Sequence, residues 1–201
     1  MSFWTTDFSS DDTTLKDPKR KFRWQVQFTG LSAGTNPTLL WYAKTVTKPS
    51  FTIAAAEHKY LNHTFYYPGS VTWNDVAMTL VDPVSPDTTA TFSDIMVQSG
   101  YAPPSDPSTM TTMSKASAAG ALGAINITQY DGAGVALETW TMHNAFLSEV
   151  KYGDLAYGED DLTEVSIVIK YDWASVTTAN DGAKSSGKTE FFSLSGDAAT
   201  A

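Results

Sequence analysis

Tyr66-Tyr67-Pro68-Gly69-Ser70-Val71-Thr72-Trp73-Asn74-Asp75-Val76-Ala77-Met78-Thr79-Leu80-Val81-Asp82-Pro83 is the stretch on which the fold turns. Val71 and Trp73 share one parity, whereas Val76, Met78 and Leu80 share the other. A half-buried strand needs a period of two, so the change of parity predicts one strand from Val71 to Val81 carrying a bulge at Asn74-Asp75. Asp82-Pro83 ends it, because proline brings no donor to a ladder.

Upstream, Phe51, Ile53, Tyr60, Leu61, Phe65, Tyr66 and Tyr67 are crowded into residues 50–68 without one clean period. That pattern predicts a long hairpin or a projecting loop instead of a core strand. Before it, residues 41–47 form a β-favouring run stopped by Pro49, and Gly30 to Pro37 is turn chemistry. Phe22, Trp24, Val26 and Phe28 alternate with Arg23, Gln25 and Gln27, which predicts the first strand.

Downstream, Thr88 or Thr89 is placed to cap a helix in which Phe92, Ile95 and Met96 have helical spacing and Gly100 is the stop. The Ala-rich segment Ser114 to Gly123 fits either a weak helix or a loop. Ile125 and Ile127, then Asp131-Gly132-Ala133-Gly134, then Val135 to Met142 predict a hairpin. Residues 146–152 are strand-like with ambiguous faces, and Val165, Ile167, Ile169, Tyr171 and Trp173 alternate with polar residues as a last strand. The fold class expected is mainly β: an antiparallel two-sheet sandwich or barrel with one flanking α-helix and a projecting hairpin or loop. Three regions are expected: an N-terminal arm over 1–17, a β domain over 18–173 and a flexible extension over 174–201.

Composition narrows the function. The 201 residues carry 13 basic and 22 acidic side chains, a formal net charge of −9, which argues against a nucleic-acid reader with a basic face. Five of the basic residues, Lys16, Lys19, Arg20, Lys21 and Arg23, fall in one cluster. Without any cysteine there is no disulfide, no thiolate metal site and no thiol nucleophile. No stretch approaches the roughly 18 apolar residues of a membrane helix, and the start lacks the layout of a signal peptide, so a soluble product without a membrane role is expected. Charged residues make up 17%, below the common figure of about 25%, and so thin a charged surface suggests extensive contact with other subunits.

Motifs that would carry chemistry fail on context. Gly182-Ala183-Lys184-Ser185-Ser186-Gly187-Lys188-Thr189 fits the phosphate-loop pattern, yet that loop must leave a buried strand, and Val176 to Asp181 is mostly polar. A Ser/Gly/Lys linker explains it better. His58, His63 and His143 form no metal-ligand spacing, and Glu159-Asp160-Asp161 lacks the alternating oxygens of a calcium loop. Spacing picks out no carboxylate pair, no G-x-S-x-G elbow and no Ser/His/Asp arrangement, so no catalytic centre, metal or cofactor is expected.

The stretch Tyr66 to Pro83 resembles the signature of tail-tube proteins of contractile-tailed bacteriophages. Its flanks agree: Lys21-Phe22-Arg23-Trp24-Gln25-Val26 resembles the family's first strand, Trp140-Thr141-Met142-His143-Asn144-Ala145-Phe146 resembles its W-x-L-x-x-A-F-like segment, and Val165 to Trp173 its closing strand. The resemblance spans Pro18 to Trp173; residues 174–201 and the Pro-rich loop after Tyr101 depart from it. It implies a β-barrel-like structural subunit of hexameric rings that stack into a hollow tube for genome DNA. The implied partners are further copies of itself and the tail sheath, baseplate and tail terminator proteins, in a virion tail assembled in the host cytoplasm. Related inner tubes serve contractile injection and type VI secretion machines, and a tube-initiating ring is the nearest alternative role. A β-sandwich module binding carbohydrate through surface Trp and Tyr is the rival of another class.

On this reading Phe51, Ile53, His58, Tyr60, Leu61, Phe65, Tyr66 and Tyr67 are expected at the joint between subunits, since edge strands find partners in neighbours. Glu138, Glu149 and Asp154 are expected on a lumen wall whose negative charge repels DNA phosphates. DNA is expected to pass without specific binding.

Overall fold

In a computed structural model of the chain, residues 19–30, 43–85, 87–104, 111–158, 160–179 and 190–192 are described. The N-terminal arm 1–17 and the Gly182–Thr189 motif lie outside them. Two antiparallel sheets face each other across an apolar core, and neither closes into a barrel. The first has the order β1 (Trp24–Phe28), β6 (Ile125–Tyr130), β7 (Ala136–His143), β10 (Trp173–Thr178), β11 (Glu190–Phe191). The second has the order β2 (Ala43–Val46), β5 (Val76–Val81), β9 (Glu164–Lys170), β8 (Phe146–Lys151). A third ladder, β3 (Ser50–Tyr60) with β4 (His63–Asn74), stands apart as a two-stranded hairpin.

Register turns alternation into layers. Phe28, Ile125, Met142 and Ala174 form one inward row across the first sheet, and Val26, Ile127, Trp140 and Val176 form the next. Opposite them, Val76 pairs with Ile169, Met78 with Ile167 and Leu80 with Val165, all six buried. Burial of such side chains contributes about 1.5–3 kcal/mol each, so these rows dominate the stability of the sandwich.

Two helices cover the core where one was expected. α1 (Thr88–Gln98) is capped by Asp87, whose side chain accepts from the Ala90 amide at 2.9 Å, and not by Thr88 or Thr89. Those threonines instead donate to the carboxylate of Asp82, Thr88 through its amide and Thr89 through its hydroxyl. α2 (Lys115–Leu122) settles the open reading of the Ala-rich segment: Ser114 caps it, and Ala118, Ala121 and Leu122 are buried. It stops at Gly123, at φ +68°, where a Cβ would lie 2.2 Å from the Gly30 nitrogen. Only glycine permits that crossing of two backbones.

Three strand readings are corrected. Residues 71–81 are not one bulged strand: β4 ends at Asn74 and β5 begins at Val76, so the parity change marks a handover between two ladders. Likewise the last alternating run divides, β9 ending at Lys170 in one sheet and β10 starting at Trp173 in the other. Residues 174–178, read as the start of a flexible extension, therefore belong to the core: β10 pairs along its length with β7, and Ala174 and Val176 are buried. Ala174 and Val176 each extend one inward row of the first sheet, and composition alone reads such small residues among Ser and Thr as a tail. The ambiguous faces of residues 146–152 have a cause too, a register shift in β8 between Leu147 and Glu149.

Candidate assembly surface: the projecting hairpin and its root

The hairpin is built by ten cross-strand pairs from Ser50 opposite Asn74 to Tyr60 opposite His63, closed by Leu61 and Asn62. Every residue of β3 is exposed, and on β4 only Thr64 and Trp73 are half-buried. One register shift interrupts the ladder, where Gly69 and Ser70 stand opposite Ala54 alone. A Cβ on Gly69 would lie 3.0 Å from the Ala54 carbonyl oxygen, so the bulge suits a glycine.

That extra residue on β4 changes which side chains share a face. Paired residues point the same way, so near the root Phe51, Ile53, Val71 and Trp73 lie together. Beyond the bulge the same face carries Glu57, Lys59, Thr64 and Tyr66. The opposite face is polar at the root, where Thr52 and Asn74 are hydrogen-bonded at 3.1 Å, and aromatic at the tip, with His58, Tyr60, His63, Phe65 and Tyr67. His63 and Phe65 meet edge to face at 4.7 Å between ring centroids. The expected joint residues are thus all on one element and all exposed, but on two faces: Phe51, Ile53 and Tyr66 on one, His58, Tyr60, Phe65 and Tyr67 on the other, with Leu61 at the turn, 88% exposed.

At the root the hairpin is tied to the sandwich. Phe51, Trp73 and Phe192 form an aromatic triangle with centroid separations of 5.3 to 5.8 Å, and Trp73 reaches Tyr171 of the core at 5.9 Å. Lys48, two residues before β3, donates to Gln129 at 2.7 Å and forms an ion pair with Glu138. Neither Trp73 nor Lys48 was singled out as a site residue; a long amine next to Pro49 has no local pattern that marks it.

Of the three acidic residues expected on a lumen wall, Glu138 is corrected. It is only 9% exposed, at the inward-facing parity of β7, and its carboxylate is shared between Lys19 and Lys48. Burial pushes this carboxyl up, but the hydrogen bonds and charges of the two lysines outweigh it and hold it below the ordinary carboxylate range. It offers no free negative charge. Glu149 is exposed and pairs with Lys151 at 2.9 Å, and Asp154 lies in the exposed loop between β8 and β9. That loop lines an open cleft of about 1200 Å³ together with Lys44, Val81 and Glu164. By contrast, the outward positions Gln25, Gln27, Asn126, Thr128, Thr139, Thr141, Ser175 and Thr177 of β1, β6, β7 and β10 carry no carboxylate, and the acidic residue on this face is Glu190 of β11, opposite Thr177.

Among the described residues no group of three or more His, Asp or Glu is close enough to hold a metal ion, and no helix is long and apolar enough to cross a membrane.

No protein-family model matches the sequence, and no curated protein matches it. Solved structures do. A chain of the anti-feeding prophage cap, described as its tube terminating cap, superposes with a TM-score of 0.60 at 16% identity, over 86% of this chain and 99% of that one. A chain of the sheath-tube complex of an extracellular contractile injection system, in its extended state, gives 0.58 at 13% identity over 82% and 94%. A chain of the anti-feeding prophage baseplate gives 0.56 at 12% identity over 82% and 98%. At such identities the likeness is one of fold, and the chain has the fold of tube-associated chains of contractile injection systems.

Proposed function

We propose that the chain is a structural subunit of the inner tube of a contractile particle, without enzymatic activity, and that its rings stack into a hollow conduit. The observation that carries this reading is the hairpin from Ser50 to Asn74, exposed along both strands and aromatic on opposite faces at root and tip. An isolated two-stranded ribbon is marginal in water, and an exposed aromatic patch of this kind marks a contact surface. A hairpin that projects from one subunit onto the next makes a heterologous contact, which repeats into rings and open stacks. The fold shared with a tube terminating cap supports the same reading.

In its finer form the proposal is a hexameric ring in a phage tail, exposed to sheath, baseplate and terminator proteins outside and to passing DNA within. Glu149 and Asp154 remain the candidates for acidic lumen residues. The matched solved structures belong to injection particles, and this favours a second reading, the inner tube of a contractile injection machine, in which the cargo is not a genome.

Negative-stain electron microscopy of the purified full chain beside its sedimentation profile tests the proposal. Rings or hollow tubes are the expected result. A monomer of 21.8 kDa at high concentration that binds sugar saturably would overturn it in favour of a carbohydrate-binding sandwich.

A further inference from the structure

The inward rows of the first sheet are apolar until the third, where Trp24, Gln129, Glu138 and Thr178 stand in line. Gln129 and Glu138 are paired across β6 and β7 and are 7% and 9% exposed, and Glu138 is the one buried carboxylate among the described residues. Two apolar side chains at these positions would extend the core at no desolvation cost. A buried ion pair, even a well-paired one, rarely stabilises a fold better than an apolar pair of the same size. What this pair gains instead is attachment of chain segments remote in sequence.

Four ties converge on it. Lys19 binds one carboxylate oxygen of Glu138 and Lys48 the other, from 119 and 90 residues away along the chain. Gln129 accepts from Lys48 at 2.7 Å and donates to the backbone carbonyl of Arg20 at 3.0 Å. Lys19 and Arg20 open the described part of the chain after the N-terminal segment, and Lys48 with the buried Pro49 forms the root of the hairpin.

We propose that Glu138 is a positioning residue, a single buried anchor that holds the Lys19-Arg20 segment and the root of the hairpin side by side, so that both are presented together to a neighbouring copy of the chain. The part about a neighbouring copy rests on the tube reading; the anchor itself does not. One carboxylate neutralises either lysine alone, so loss of one lysine releases only its own segment. Loss of the carboxylate loosens both at once, leaving only the Gln129 contacts to Lys48 and Arg20.

Hydrogen exchange on the full-length, unassembled chain tests this without requiring a tube. In Glu138→Gln, which keeps size and removes charge, hairpin amides within residues 50–74 are expected to exchange faster by about tenfold, the effect of losing one charge-assisted hydrogen bond at the root. Amides of Ile127, Met142 and Ile167 in the core keep their protection. Tryptic cleavage after Lys21, beside the anchored Lys19 and Arg20, is expected to accelerate in the same variant. Lys48→Met reproduces the hairpin effect alone, and Lys19→Met the proteolysis effect alone. Unchanged hairpin exchange in Glu138→Gln would overturn the proposal, and so would acceleration spread equally over hairpin and core, which would make Glu138 an ordinary core residue. Where the wild type forms tubes, Glu138→Gln should require a higher protein concentration to do so. A wild type that forms none defeats the tube reading and leaves the exchange pattern to decide on the anchor.

Discussion

Phe51 and Trp73 stand directly opposite each other near the base of the hairpin, their rings edge to face with centroids 5.3 Å apart. Both rings meet Phe192, but Trp73 alone also leans on the core, through Tyr171. The pair is therefore the point at which an exposed ribbon acquires the stability of the sandwich beneath it, and the two rings contribute unequally.

Trp73→Ala is expected to destabilise the chain by about 3 kcal/mol, since a large half-buried ring is lost beside the core. Phe51→Ala should cost about 1 kcal/mol, being 41% exposed. Urea unfolding of both single variants and the double variant measures their coupling, expected at about 0.5–1.5 kcal/mol for an aromatic pair. Strict additivity would mean that the contact holds nothing in place.

Leu61 sits at φ +52° at the tip of the hairpin, a left-handed conformation that costs a leucine about 1 kcal/mol and a glycine almost nothing. Leu61→Gly should therefore leave thermal stability unchanged or slightly raised. If the leucine is retained for a neighbour, as the tube reading requires, the same variant lowers tube yield. Calorimetry and electron microscopy on one preparation read both effects.

Tyr60→Ser combined with Phe65→Ser removes two aromatics from the tip face while leaving the root intact. Because both side chains are exposed, the melting temperature should move by no more than a degree or two, the scale of about 0.5 kcal/mol for exposed sites. Assembly should fail. Tubes of normal length and yield from this variant would remove the hairpin tip from the joint.

Acid should loosen the anchor at Glu138. Its folded carboxyl lies below the ordinary value of 4.5, so its contribution is complete above that pH and is lost as pH falls through the folded value. Asp172, held down by hydrogen bonds from Lys115 and Asn144, acts in the same direction. The melting temperature of the wild type is expected to fall on acidification below about 4.5 more steeply than that of Glu138→Gln. Parallel curves would show that the carboxylate carries no linkage.

Gly123→Ala should be the most damaging small substitution, because it combines φ +68° with a Cβ 2.2 Å from the Gly30 nitrogen. A loss well above the roughly 1 kcal/mol of an ordinary glycine replacement is expected, visible as a large drop in melting temperature. Gly134→Ala, also at positive φ but with no atom near its Cβ, separates conformational strain from steric conflict.

By itself the sequence determined the strands whose faces alternate and the mainly β class, because period-two patterning is a local property written within five to ten residues, and it marked residues 50–68 as a projecting aromatic hairpin or loop by the lack of such a period. It also excluded thiol chemistry outright. What it left open is where each strand belongs. The parity break at Asp75 reads equally as a bulge or as a handover between ladders, and only the pairing of Val76 with Ile169 decides. Residues 174–178 are too small and polar to announce a core strand until β7 lies beside them. Glu138 shares its parity with Trp140 and Met142, which is a local hint of an inward position. Whether an inward carboxylate is buried depends on what closes the end of the sheet, and here that is Lys19 and Lys48, brought from 119 and 90 residues away. Local spacing encodes faces; contacts across such distances exist only once the chain has folded, and they decide which faces are wet, which charges are spent and which residues remain for a neighbour.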